Sequence, residues 1–334
     1  MQPGRTARIS GLRGRGGRPD SRGLMASANT HGIRIEYEEF GDSDDPVILL
    51  IIGFAAQMTV WPESFCQALA NHSFRVIRFD NRDVGLSSHL DGVRSPGMVR
   101  AMAANILGIK IKTPYALDDM ALDAAGLLDA LGIEQAHIVG ASMGGMIAQI
   151  MAVKHARYVK SLTSLMSTSG NRKLRGPGSD VLRHILFKRK KNMDHDAMIE
   201  YLVGLWQLIG SPEYSTSIDE TRRRVTSWVD RNHDPAGSVR QFAAMAADGD
   251  RTPLLGKIQC PTLVVHGEND PLIRAEGGRH TAECIKNAKL HVISGMGHDL
   301  PEALIPSIAN LIACHCAEAQ NDAQRKLHET AVVA

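Results

Sequence analysis

Val139-Gly140-Ala141-Ser142-Met143-Gly144-Gly145 is the stretch whose reading decides the fold. It has the form G-x-S-x-G. The residues before it, Ala136-His137-Ile138-Val139, form a short apolar, partly β-branched run that predicts a buried strand. The residues after it, Met146 to Ala152, are apolar and rich in helix formers. Strand, tight turn and helix in that order are the setting of a nucleophile elbow, in which a strained turn holds the serine above a helix N-terminus. Small residues at Gly140 and Gly144 leave room for the neighbouring backbone. An ordinary glycine-rich strand-to-helix turn is the competing reading, and it is outweighed by the partners found further along the chain.

A serine hydroxyl is a weak nucleophile until a base takes its proton. Leu290-His291-Val292-Ile293-Ser294-Gly295 reads as a strand end, and Met296-Gly297-His298-Asp299 follows it. His298 is the candidate base. A buried carboxylate must fix the imidazole tautomer and stabilise its charged form. Leu263 to Gly267 is another strand end, followed by Glu268-Asn269-Asp270-Pro271, and Asp270 is the candidate acid. Glu268 competes from two residues away. Asp299 competes less well, because adjacent side chains on such a turn diverge. His266, at a strand end near the expected site, is the only other histidine to watch.

Upstream, Val47-Ile48-Leu49-Leu50-Ile51-Ile52 is a continuous apolar run, as a strand covered on both faces requires. It ends in Gly53-Phe54-Ala55-Ala56-Gln57. The next strand leads into Asp80-Asn81-Arg82-Asp83-Val84-Gly85-Leu86-Ser87. The serine motif, the order Ser142, Asp270, His298 and this D-x-R-x-x-G-x-S-like loop together resemble the α/β-hydrolases over roughly residues 30 to 318. Asp83 stands where that family usually has a glycine, and Gly53-Phe54-Ala55-Ala56-Gln57 departs from the common His-Gly-x-Gly form. Both departures resemble a bacterial subgroup that includes aclacinomycin methylesterase-like proteins. The resemblance implies a mostly parallel, doubly covered sheet with an inserted helical cap. It also implies an oxyanion hole made by the backbone N–H groups of Phe54 and Met143. Gln57 and Trp61 are expected to touch substrate, whereas Asp80 and Arg82 are read as a structural network.

Composition sets bounds. The chain has 334 residues, 43% hydrophobic and 22% charged, with a formal net charge of +2. That is ordinary for a globular protein and fits one large α/β domain with an insertion. No apolar stretch reaches the length of a membrane span. Five cysteines, an odd and scattered set, suggest reduced thiols and a cytoplasmic setting. Cys314-His315-Cys316 lacks a second ligand pair with zinc spacing, and residues two apart on a helix do not share a face. Neither a metal nor another cofactor is expected, and neither is a nucleic-acid partner.

Local patterns divide the chain. Residues 1–28 are rich in Gly and Arg and cannot bury enough surface to fold, so a disordered extension is expected, with Met25 as the expected true start. Ile33 to Phe40 alternates like a half-exposed antiparallel edge strand. Residues 29–169 and 256–318 are assigned to the α/β core, 170–255 to a helical cap over the serine, and 319–334 to a polar tail. Within the cap, Lys188-Arg189-Lys190-Lys191 reads as a solvated helix face, and Trp206 and Trp228 as cap core.

The function that follows is hydrolysis of a small-molecule carboxylic ester through an acyl-enzyme, with no oligomeric state implied. A perhydrolase or haloperoxidase-like reaction, C–C bond hydrolysis on the same triad, and a non-catalytic ligand-binding relative are the alternatives.

Overall fold

The computed structural model describes residues 24–188 and 193–333. The Gly/Arg-rich segment before Leu24 and the basic residues Arg189, Lys190 and Lys191 lie outside them. Eight strands form one sheet: β1 (Leu24–Thr30), β2 (Ile33–Phe40), β3 (Val47–Ile51), β4 (Arg75–Phe79), β5 (Ala136–Ala141), β6 (Val159–Leu165), β7 (Thr262–Gly267) and β8 (Lys289–Ile293). Their order is β1-β2-β4-β3-β5-β6-β7-β8. β1–β2 and β2–β4 pair antiparallel, and every other pairing is parallel. The chain is an α/β protein with crossover helices on both faces.

The helices are α1 (Glu63–Ala70), α2 (Met98–Leu107), α3 (Leu117–Ala130), α4 (Met143–Lys154), α5 (Ser179–Arg183), α6 (His195–Ile209), α7 (Ile218–Arg231), α8 (Pro235–Asp248), α9 (Thr252–Leu255), α10 (Ala275–Cys284) and α11 (Ile305–Val333). β3 shows why its apolar run is unbroken. Val47, Leu49 and Ile51 face a core shared with α3 and α4, while Ile48, Leu50 and Ile52 face a second core shared with α1 and α11. A strand alternates its side chains between faces, so a strand covered on both must be apolar throughout.

Ile33–Phe40 is not the sheet edge. β1 covers it, so the boundary drawn after Ala28 falls inside a strand. The hairpin turn is His31-Gly32, with φ of 47° and 83°, and two positive φ values match the twist of paired strands. Alanines at 26 and 28 gave β1 too weak an apolar signal, yet both pack on the core. At the other end α11 carries the polar segment after Glu318 as helix to Val333. Cys314 is exposed and Cys316 buried on that helix, and all five cysteines are free thiols.

Between β6 and β7 the described chain is helical, from α5 to α9. Trp206 and Trp228 lie with ring centroids 5.1 Å apart, packed against Ile199, Val203 and Val225. The segment from Gly92 to Ala116 holds a helix that sequence reading passed over. α2 follows Pro96-Gly97 and stops at Gly108, whose φ of 71° caps it.

Candidate active site

β5 delivers Ser142 to the end of the sheet, and the turn there is sharp. Ser142 has φ 55° and ψ −120°, a conformation that costs a non-glycine residue roughly 1–3 kcal/mol unless its surroundings hold it. They do. The Ser142 N–H donates to the Leu165 carbonyl at 2.9 Å, and Ser167 Oγ donates to the Ser142 carbonyl at 2.7 Å. The flanking glycines are required by space. A Cβ on Gly140 would lie 2.2 Å from the Gly144 carbonyl oxygen, and one on Gly144 would lie 2.1 Å from that of Ile51. β5, β3 and α4 therefore approach closely only because these positions carry no side chain.

Asp270 and His298 come together across the ends of β7 and β8. His298 Nδ1 and Asp270 Oδ2 are 2.6 Å apart. Asp270 is buried and His298 nearly so. The other Asp270 oxygen accepts from the backbone N–H groups of Leu272 and Ile273, both at 2.8 Å. Burial alone would raise this carboxyl. Electrostatic attraction to the His298 ring and hydrogen bonds from His266 and His298 outweigh burial and hold it down at about 2.

The competitors sort themselves by geometry. Glu268 is exposed. Asp299 accepts from Ser211 Oγ at 2.5 Å. His266 Nε2 meets the Ile273 carbonyl at 2.7 Å and stands 3.4 Å from Asp270 Oδ2, so it supports the acid from behind.

Ser142 and His298 line one cavity of about 1390 Å³. Its walls include Phe54, Trp61, Met146, Leu205 and Trp206. Two backbone donors lie in the turns beside the serine. Met143 is the first residue of α4, so its N–H is one of the open donors of a helix start. Phe54 sits in a turn closed by Ala56 N–H to the Gly53 carbonyl at 3.4 Å, and its own N–H has no hydrogen-bond partner among the described loops. The next N–H, that of Ala55, is occupied by Gln241 Oε1 at 2.9 Å.

Of the residues expected at substrate, Trp61 lines the cavity, is 2% exposed and stacks on Phe65. Its Nε1 is buried without a partner among the described residues. Gln57 also lines the cavity but is committed elsewhere. Its Nε2 donates to the carbonyls of Trp228 at 2.5 Å and Asn232 at 2.7 Å, and its Oε1 accepts from Arg231 at 2.7 Å. An amide with both ends occupied ties the loop to α7.

Asp80 accepts from Met58 N–H, Leu86 N–H and Arg231. Arg82 makes a bidentate pair with Asp123. Asp83 has φ 66°, which accounts for the glycine usual at that point, and Asp is among the residues that tolerate this region. Its carboxylate is held by Arg240 of α8 at 2.8 and 2.7 Å. Asp83, His89 and Asp234 cluster closely enough for a metal ion, but Arg240 bonds both carboxylates and supplies the positive charge there.

Sequence reading missed three contributors. Gln241 carries the loop beside Phe54, the Ile209 carbonyl accepts the His298 N–H at 2.7 Å, and Met98, Met102 and Asn105 of α2 line the cavity. Only α2 left a local signal, its Pro-Gly start and glycine stop.

The fold and the elbow define an α/β hydrolase. The chain belongs to the alpha/beta hydrolase fold family, whose family model matches residues 46–302. It is 26% identical over 295 residues to rhodomycin D methylesterase DauP of Streptomyces sp. (strain C5), covering 83% of this chain and 93% of that protein. It is 26% identical over 281 residues to the bifunctional esterase/perhydrolase DCH of Acinetobacter calcoaceticus, covering 81% and 91%. Among solved structures, the meta-cleavage product hydrolase CumD of Pseudomonas fluorescens IP01 superposes with a TM-score of 0.68 at 20% identity, covering 88% of this chain and 98% of that one. The chain is thus a hydrolase with esterase-named relatives. Among its described residues no helix is long and apolar enough to cross a membrane.

Proposed function

We propose that this chain is a serine carboxylesterase working through an acyl-enzyme. Ser142 is the nucleophile, His298 the base and Asp270 the residue that orients it. The observation that carries this reading is the 2.6 Å pair between His298 and Asp270 beside a serine held at φ 55° in the same cavity. With its Nδ1–H donating to Asp270, His298 presents Nε2 to take the Ser142 proton. Ser142 Oγ attacks the acyl carbon, and the oxygen that becomes negative is met by the Phe54 and Met143 N–H groups. Each such donor contributes roughly 3–4 kcal/mol in a water-poor pocket. The alcohol leaves with the proton from His298. Water then follows the same route in reverse and frees the acid.

The cavity supports a bulky substrate. Its volume of about 1390 Å³ exceeds the upper end of ordinary small-molecule sites, about 1,000 Å³. Its apolar walls favour a large hydrophobic acyl part. The methylesterase relative favours a small leaving alcohol.

An active-site phosphonate tests the assignment. One adduct per chain is expected, mapped to Ser142 by peptide mass and absent from Ser142→Ala. A panel of methyl and p-nitrophenyl esters of increasing acyl size, run with and without peroxide and beside a vinylogous diketone, separates ester cleavage from perhydrolysis and C–C cleavage. Labelling that survives Ser142→Ala, or labelling without turnover of any ester, overturns the esterase reading.

A further inference from the structure

Two segments that line the cavity share a surface character that hydrolysis does not require. Residues 91–116 carry four Lys/Arg and one Asp/Glu, and residues 171–188 carry five and one, in a chain whose totals are 38 and 36. The same two segments hold eight of the eleven exposed large hydrophobic side chains among the described residues. Phe187 is 78% exposed, Val99 and Ile106 71%, and Leu107 70%. The segments touch, since Arg172 packs on Gly108 at the end of α2. Val99, Ile106, Leu182 and Leu186 are exposed and also line the cavity, so the patch surrounds an opening of the cavity.

Beside it lies a second hollow of about 610 Å³. Arg94, Arg100, Lys110 and Lys112 line it together with Leu107 and Ile109. None of these four cations has a carboxylate partner among the described residues, whereas Arg78, Arg82, Arg231, Arg240 and Arg251 elsewhere are all paired.

We propose that this face, α2 with the loop that follows it and the Ser179–Lys188 turn, docks on an anionic phospholipid surface. Exposed aliphatic and aromatic side chains ringed by unpaired cations are the two features that interfacial binding uses: apolar insertion, and attraction to charged headgroups. The hollow lined by four cations fits a phosphate headgroup whose acyl chains would lie along Leu107 and Ile109. A second copy of this chain would bring like charge against like charge on this face. Because the cavity opens within the patch, an apolar ester dissolved in a bilayer would reach Ser142 without crossing water. This last step rests on the esterase reading, whereas the docking itself does not.

The test is flotation of the full chain with vesicles of phosphatidylglycerol and phosphatidylcholine, against phosphatidylcholine alone. Binding is expected on the anionic vesicles and should fall steeply between 0.1 and 0.5 M salt, as the Debye length shrinks from about 10 Å to less than half that. The fourfold variant Arg94→Gln, Arg100→Gln, Lys110→Gln, Lys112→Gln should weaken binding by several hundredfold, each cation near the surface being worth about fivefold. Phe187→Ser should weaken it independently. Both variants alter exposed positions, and an unchanged Tm checks their folding. Ser142→Ala should float like the parent, which keeps this result separate from any failure of the esterase assignment. The N-terminal arginines offer another route to anionic vesicles, so the variants are decisive. Absence of binding, binding that survives in both variants, or a dimer in sedimentation that Phe187→Ser dissolves without any vesicle binding, would each overturn the proposal.

Discussion

Replacing Asp270 by Asn tests the acid on two axes at once. The Asn Oδ1 can still accept from Leu272 and Ile273 N–H, which now hold one Asp270 oxygen at 2.8 Å. The other position becomes an NH₂ facing His298 Nδ1, where Asp270 Oδ2 now lies 2.6 Å away. Two donors then oppose each other, the imidazole prefers its other tautomer, and Nε2 arrives already protonated. Turnover should fall by roughly 10⁴, the size seen when serine proteases are given this change. The stability effect follows from linkage. Asp270 is held at about 2 against the ordinary 3.8, and 1.36 kcal/mol per pH unit makes that depression worth roughly 2–3 kcal/mol. A depressed carboxyl contributes this fully above about pH 4 and loses it as pH falls through about 2. The Asn variant should therefore melt roughly 5 °C below the parent at pH 7, and the gap should narrow between pH 4 and pH 2. Ester hydrolysis and circular dichroism melts at several pH values read both. A variant within tenfold of parental activity, or Glu268→Gln doing equal damage, would refute the reasoning.

Other changes probe the supports of the site. Gln241→Met should lower kcat more than it raises KM, because it frees the Ala55 N–H and the Arg82 carbonyl that Gln241 now holds at 2.9 and 2.8 Å; the buried Arg82 carbonyl left unpaired should also cost roughly 1–3 kcal/mol in denaturant melts. Removing residues 1–23 should leave Tm unchanged, whereas removal through Gly32 takes away β1 and uncovers β2, so a loss of several degrees by calorimetry is expected for the second truncation alone. Gln57→Leu should loosen α7 from the loop beside the serine, read as faster proteolysis between β6 and β7 with little change in the KM for a small ester.

What the sequence made legible was local. Ser142, Asp270 and His298 each sit at the end of an apolar run, so strand patterning and glycine spacing pointed to them one at a time. The apolar run of β3 announced a strand with two covered faces for the same reason. What stayed hidden was tertiary. No pattern around Gln241 says that its amide will carry a loop 186 residues away. Gln57 looked like a polar group free to meet substrate because its partners, two carbonyls at the end of α7 and in the turn beyond it, come from a distant segment. β1 was missed because alanine buries too little surface to stand out, though the hairpin partner gives it a complete ladder.

The helical segment between β6 and β7 was expected to act as a lid, a cover that excludes water and selects substrate. Its contacts argue for a larger part. The Ile209 carbonyl takes the His298 N–H, and Ser211 Oγ takes the Gly297 N–H at 2.9 Å while donating to Asp299. The loop that carries His298 is thus fastened to the segment joining α6 and α7. Gln241 and Arg240 of α8 hold the turns that present Phe54 and Asp83. Replacing the whole segment by a short linker would leave the parallel strands joined at modest entropic cost, but it would strip partners from the His298 loop and the Phe54 loop together. The expected outcome is a folded core in which His298 still reaches Asp270 but its loop is no longer fixed, with turnover lost for small and large esters alike. A deletion variant that kept fast hydrolysis of small esters and lost only its choice among large ones would mean that the core strands position the site unaided, and that the helices serve only as a cover.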